Sequence, residues 1–210
     1  MEAEAAVTSI EAKTEARKKA RSALRLVQSD RAREMSAAAA AAFRSLAEFE
    51  TADIVLAFLS MPGEILTDFL IEGCLREGRR VAVPRIEGND IAFVPLDGDY
   101  RSWPRDRFGI PEPPRESRSL ELDELGRSRV LVAAPGLAFD RAGRRLGRGK
   151  GYYDRFLASA AKATAAGGGR LTVCGFCYSI QIAETLPTDE RDIPVDAIAT
   201  ESGLLRPRAR

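Results

Sequence analysis

The chain has 210 residues, 45% of them hydrophobic, with 32 Lys and Arg against 31 Asp and Glu and no His. That length can bury a full core without disulfides or metal, and a net charge of +1 argues against a globally basic nucleic-acid binder or an acidic tail protein, so functional charge must be local. The lack of His removes His general bases, Ser-His-Asp and Cys-His catalysis and His metal ligands together.

In chain order, residues 4–49 read as helix. Ala, Glu, Arg, Lys and Leu dominate, and no Gly or Pro occurs before Pro62. Ala16, Ala20, Leu24 and Val27 form one apolar stripe. Ser29 or Asp30 is expected to cap a second helix, and the run Ala37 to Ala42 allows close packing against a neighbour. Asp53 to Leu59 reads as a strand buried on both faces. Glu64 to Glu77 reads as a helix with Ile65, Phe69, Leu70 and Leu75 inward, closed by Gly78. Arg79 to Val83 reads as a strand ended by Pro84. Strand, helix and strand in this order predict a parallel βαβ unit.

Ile91 to Leu96 is a shorter strand, residues 97–119 a long loop containing Trp103, and Glu121 to Leu125 a short helix. Arg129 to Ala134 is a core strand, followed by a basic Gly-rich loop and a helix from Gly151 to Ala165. After Gly167-Gly-Gly169 come the strands Leu171 to Phe176 and Asp196 to Thr200, and residues 202–210 are expected to fray. The alternation predicts a three-layer α/β/α sandwich around a mostly parallel sheet, with an N-terminal helical segment, all in one domain. Ligands are then expected at the carboxyl ends of the strands. Three cysteines are too few for a disulfide scaffold, and Cys174 and Cys177 are oddly spaced, which puts them on opposite strand faces as structural thiols. With no signal-like segment and no apolar run near 20 residues, a cytoplasmic protein without membrane contact is expected.

The chemistry concentrates in Arg141 to Arg155, which holds six basic residues (Arg141, Arg144, Arg145, Arg148, Lys150, Arg155) and one acid, Asp154. Gly147, Gly149 and Gly151 alternate with Arg148 and Lys150 ahead of a helix. Bare backbone amides, cationic side chains and a helix N-terminus together make a polyphosphate cradle. The spacing is neither Walker A nor the dinucleotide fingerprint. A solvated surface loop, or an RNA-binding loop with Tyr152 and Tyr153 stacking on bases, are the competing readings. Asp154 and Asp192 suit Mg²⁺, which takes few carboxylates besides phosphate oxygens. Asp189 and Asp196 compete for that role, and helix capping competes for Asp154.

The stretch Gly143-Arg-Arg-Leu-Gly-Arg-Gly-Lys-Gly-Tyr-Tyr-Asp154 resembles the signature of the 5-formyltetrahydrofolate cyclo-ligase family. Phe58-Leu-Ser-Met-Pro-Gly-Glu-Ile65, Phe108-Gly-Ile-Pro-Glu-Pro113 and the segment Leu186 to Asp196 resemble further family segments in the same order. The resemblance implies a monomeric enzyme that uses ATP and Mg²⁺ to cyclise 5-formyltetrahydrofolate, with no nucleic-acid partner. It assigns Arg145, Leu146, Gly147, Arg148, Gly149, Lys150, Gly151, Tyr152 and Tyr153 to ATP, and Arg148, Lys150 and Tyr152 to catalysis. Leu59, Glu64, Phe108, Arg148 and Tyr152 are assigned to the folate, and Asp154 and Asp192 to the metal. Lys13 and Arg17 match a basic pair that reaches ATP, although Arg17/Arg21 and Arg21/Arg25 share its spacing. A non-catalytic nucleotide- or RNA-binding module, or a ligase of another small molecule, are the alternatives.

Overall fold

A computed structural model describes residues 2–96, 99–107 and 109–207, with side chains from residue 10 onward. The N-terminal region is three helices, α1 (Glu2–Leu24), α2 (Ser29–Arg44) and α3 (Ala47–Thr51). The cap of α2 is Gln28 in an extended conformation. Ser29 and Asp30 fall inside the first turn, where the Asp30 carboxylate meets the helix dipole instead of capping.

The β-branched runs form β1 (Ile54–Leu56), β2 (Val81–Glu87), β3 (Asp90–Pro95) and β4 (Arg129–Ala134). They are followed by β5 (Ala138–Asp140), β6 (Arg145–Leu146), β7 (Arg170–Phe176), β8 (Ile182–Ala183), β9 (Ala197–Thr200) and β10 (Gly203–Leu205). The remaining helices are α4 (Asp68–Arg76), α5 (Leu122–Gly126) and α6 (Tyr152–Gly167). Seven strands make the main sheet in the order β10-β9-β7-β4-β1-β2-β3, parallel from β9 to β2 and antiparallel at both edges. The β1-α4-β2 crossover is the expected parallel unit.

The central strands are buried on both faces, and successive side chains alternate between the two layers as the two-residue period requires. Val55, Leu131, Ala133, Cys174 and Ala197 face α2, α3 and α4, while Ile54, Leu56, Val132, Val173 and Ile198 face α5 and α6. Cys174 and Cys177 fall in opposite layers, and burial pushes both thiols above the usual cysteine range. Ala39 and Ala40 are buried where α2 lies against the sheet. Along α1, Ala20 is buried, with Ala16 and Leu24 beside it, against Leu137, Ala138, Leu146 and Leu186.

Several expectations need correction. Leu75 is exposed, and Ile71 and Cys74 take the inward positions beside Leu70: Ile65 lies in the turn before α4 and is buried from there, so it does not mark the helix's inward stripe. Pro84 does not end β2: pairing with β1 stops at Ala82, and beyond it β2 bonds only to β3, where one missing N–H is tolerated. Residues 203–205 are not frayed but pair with β9, and Arg206 bonds Glu48 at 2.7 Å. The basic loop does not follow β4 directly. A second sheet, β6-β5-β8, intervenes and carries it. Trp103 packs edge-on against Tyr100, 6.4 Å between ring centroids, in a surface connection.

Candidate functional site

A cavity of about 960 Å³ opens at the carboxyl ends of the central strands. One wall is the loop from β6 into α6. Gly149 and Gly151 have φ of +105° and +69°, backbone that side-chain-bearing residues rarely adopt. Gly151 is also the N-cap of α6, so the loop delivers the free N–H groups of the first turn to the cavity. The Lys150 side chain is exposed, with no ion pair or hydrogen bond among the described residues.

Arg148 reaches across the cavity. Its Nε and Nη2 donate to Glu64 Oε1 at 3.0 and 2.6 Å, while Glu64 Oε2 accepts the Met61 N–H at 3.0 Å. Glu64 lies in the turn before α4, and Leu59 lines the cavity beside it. Tyr152 lines the same cavity. The Tyr153 ring packs edge-on against Phe93, 6.3 Å between centroids. Its hydroxyl is buried without a hydrogen-bond partner among the described residues, and burial pushes its pKa up against the opposing charge of Arg145. The residue as a whole is half-buried and lines the cavity.

Arg145 is an anchor beneath the loop. It is 5% exposed, donates to Asp154 Oδ1 at 2.5 Å and to the Pro135 carbonyl at 3.3 Å, and its buried Nε has no partner among the described residues. The Leu146 side chain is buried against Ala20 and Leu186, so it supports the loop from below. Asp140, 1% exposed, accepts the N–H groups of Ala142, Arg144 and Leu186 at 2.9, 3.0 and 3.0 Å. That carboxylate ties the β5–β6 hairpin to the acidic loop that follows β8.

The α1 register decides among the basic pairs. Lys13 and Arg17 share the face of Ala16 and Ala20 and line the cavity, whereas Arg21 and Arg25 are exposed elsewhere. Arg17 donates to the Gly147 carbonyl at 3.0 Å. Lys13 donates to Asp192 at 2.5 Å and Asp189 at 2.9 Å. Burial works against its charge, but these bonds outweigh that cost and raise its pKa above the usual lysine value. The same lysine, opposed by burial, holds the Asp189 carboxyl below the usual range.

Asp154 and Asp192 lie close together, since Asp154 Oδ1 also accepts the N–H of Ile193 at 3.3 Å. Each keeps one carboxylate oxygen without a hydrogen bond among the described residues. No cluster of three or more metal-ligating side chains exists among those residues. Two carboxylates with open oxygens fit Mg²⁺, which completes its shell with phosphate and water. Asp189 stays a neighbour of this pair. Asp196 does not, because its carboxylate accepts the Val173 N–H inside the sheet.

Phe108 lies outside the described residues. Its neighbours Ile110, Pro111, Glu112 and Pro113 line the cavity, as do Pro84, Arg85 and Ile86 of β2, which sequence reasoning did not single out. Arg85 fixes this wall by donating to the carbonyls of Pro114 and Ser117 at 2.7 and 2.8 Å.

The model of the 5-formyltetrahydrofolate cyclo-ligase family matches residues 9–201. The chain belongs to this family. It is 32% identical over 181 residues to the 5-formyltetrahydrofolate cyclo-ligase of Escherichia coli K12, covering 85% of this chain and 94% of that one. A probable 5-formyltetrahydrofolate cyclo-ligase of Schizosaccharomyces pombe is 31% identical over 167 residues, covering 77% and 81%. The solution structure of Aquifex aeolicus 5,10-methenyltetrahydrofolate synthetase superposes with a TM-score of 0.73 at 33% identity over 94% of both chains. The Aquifex protein thus shares the α/β fold over nearly the full length of the chain.

Proposed function

We propose that the protein closes 5-formyltetrahydrofolate to 5,10-methenyltetrahydrofolate at the expense of ATP. The observation that carries this reading is one cavity lined both by a basic Gly-rich loop at a helix N-terminus and by the Leu59–Glu64 segment. A formamide carbon is a poor electrophile and its oxygen a poor leaving group. Transfer of the γ-phosphoryl to the formyl oxygen, with ADP departing, makes that oxygen expellable. The folate N10 then attacks the formyl carbon intramolecularly, loses its proton, and phosphate leaves. Such chemistry needs positioning and charge neutralisation more than a protein nucleophile, which suits a chain without His.

Gly147, Gly149 and Gly151 bring backbone N–H groups to the triphosphate. Lys13, Arg17, Arg148 and Lys150 supply cations, with Lys150 at the transferred phosphoryl. Arg145 holds Asp154 in place. Glu64 accepts from the pterin once Arg148 turns toward the phosphates, and Leu59 and Tyr152 flank the ring, with Phe108 as a further folate contact. Asp154 and Asp192 hold Mg²⁺, which when bound neutralises phosphate charge. No helix among the described residues is long and apolar enough to cross a membrane. Three buried free thiols suit a reducing compartment, and we place the enzyme in the cytoplasm as a monomer acting on small molecules.

The test is direct. Purified protein mixed with 5-formyltetrahydrofolate and Mg-ATP should develop methenyl absorbance, and the ATP-free control should stay flat. No absorbance change with active substrate would end this reading.

A further inference from the structure

Arg155, in the first turn of α6, is one of three basic residues of the loop motif, with Arg141 and Arg144, to which the reading above gives no role. Its Nε donates to Asp90 Oδ1 at 2.8 Å, one terminal nitrogen donates to the Lys150 carbonyl at 3.0 Å, and the other to the Asn89 carbonyl. Its guanidinium carbon lies 5.5 Å from the Tyr152 ring centroid. Asn89 and Asp90 are at the tip of the β2–β3 hairpin, on the edge of the main sheet. Between the tied carbonyl and the helix sits Gly151, where an added Cβ would lie 2.8 Å from Arg155 Nη1. The guanidinium therefore occupies the space under the loop and joins its last turn to the sheet edge.

We propose that Arg155 is a positioning residue for the nucleotide. It holds the Lys150 carbonyl and the Tyr152 ring to the hairpin tip, and so fixes where the Lys150 ammonium and the loop N–H groups point. A loop with glycine at 147, 149 and 151 has wide conformational freedom, and ordering it on binding costs entropy unless something has already fixed it. A planar fork bridges separate acceptors in a set geometry, whereas an ammonium on a flexible stem does not. The Arg155–Asp90 pair is largely exposed, with side chains 47% and 70% accessible. Pairs of this kind add little to global stability, so losing it leaves the fold standing and the effect falls on the loop.

The inference rests on the nucleotide reading of the loop. It competes with a direct role, in which Arg155 leaves Asp90 and touches phosphate itself. Asp90 separates the two by the sign of its effect. If Arg155 positions, Asp90→Ala loosens the clamp and weakens nucleotide binding; if it contacts phosphate, Asp90→Ala frees it and tightens binding. The experiment measures Mg-ATP and 5-formyltetrahydrofolate dissociation constants by titration calorimetry on the full chain, wild type alongside each variant. Arg155→Ala and Arg155→Lys should each weaken Mg-ATP about tenfold, with Asp90→Ala weakening it less, in the same direction, while folate affinity, reached only through the Tyr152 ring, falls by much less and the thermal midpoint holds. Full rescue by Arg155→Lys, tighter binding by Asp90→Ala, or an equal loss of both ligands would overturn the positioning role. Wild type that binds Mg-ATP beside an unaffected Arg155→Ala sinks this inference alone. Wild type that fails to bind Mg-ATP sinks the nucleotide reading and this inference with it.

Discussion

At the end proposed for the nucleotide, the cavity wall is largely one unbroken stretch, Arg145 to Arg155, with three α1 side chains, Ile10, Lys13 and Arg17, and the Asp189 to Ile193 loop beside it. At the end proposed for the folate, the wall is assembled from three distant pieces: Phe58 to Glu64, Pro84 to Ile86, and Ile110 to Pro113. A continuous wall concentrates its chemistry in a few side chains whose backbone is already placed, so single substitutions there should be severe. An assembled wall spreads recognition over many weak contacts and should lose function by degrees.

Lys150→Ala is the sharpest way to test that contrast. Turnover should fall about a thousandfold or more, as when a phosphoryl-transfer cation is lost, while the thermal midpoint moves by no more than about 2 °C. Steady-state kinetics beside a melting curve checks both halves. Asp140→Ala, under the nucleotide end, should do the reverse. Losing a carboxylate that accepts three backbone N–H groups should cost up to about 3 kcal/mol in urea denaturation, because those donors are left unpaired. At the assembled end, Glu64→Ala should raise the folate KM about tenfold and the ATP KM less. An ATP KM that rises more than the folate KM would collapse the distinction between the two ends.

The smallest effect belongs to a pair remote from the cavity. Arg129, through its side chain and backbone N–H, holds the Asp53 carboxyl at about 2, below its ordinary value of 3.8. A depressed folded-state pKa means the stabilisation is present above about pH 4 and is lost as pH falls toward 2. Asp53→Asn should flatten that acid limb of a pH-melting series by well under 1 kcal/mol, since the pair is exposed to water and screened. Activity at neutral pH should not change.

The same contrast explains what could be read from the sequence. β1, β4, β7 and β9 announce themselves as β-branched runs, and the basic loop stands out because its charge is contiguous in a nearly neutral chain. β5, β6, β8 and β10 have two or three residues each, too few to show a period, so the hairpin that carries the loop went unseen. Pro84, Arg85 and Ile86 have no local signature as site residues; only the β2–β3 pairing turns them toward the cavity. Lys13 and Arg17 were readable as a pair but not as the right pair. What selects them is the side of α1 that Ala16 and Ala20 turn toward β5 and β6.

The bridge between Arg148 and Glu64 carries a final consequence. Each cancels the other's charge, so neither Arg148 nor Glu64 stands bare, and among the described residues the cation left open to anions in this cavity is Lys150. Any molecule that claims Glu64 sets Arg148 loose for a second guest. Thermodynamic reciprocity then requires that a guest claiming Arg148 open Glu64 by the same factor, which makes the two substrates mutual invitations.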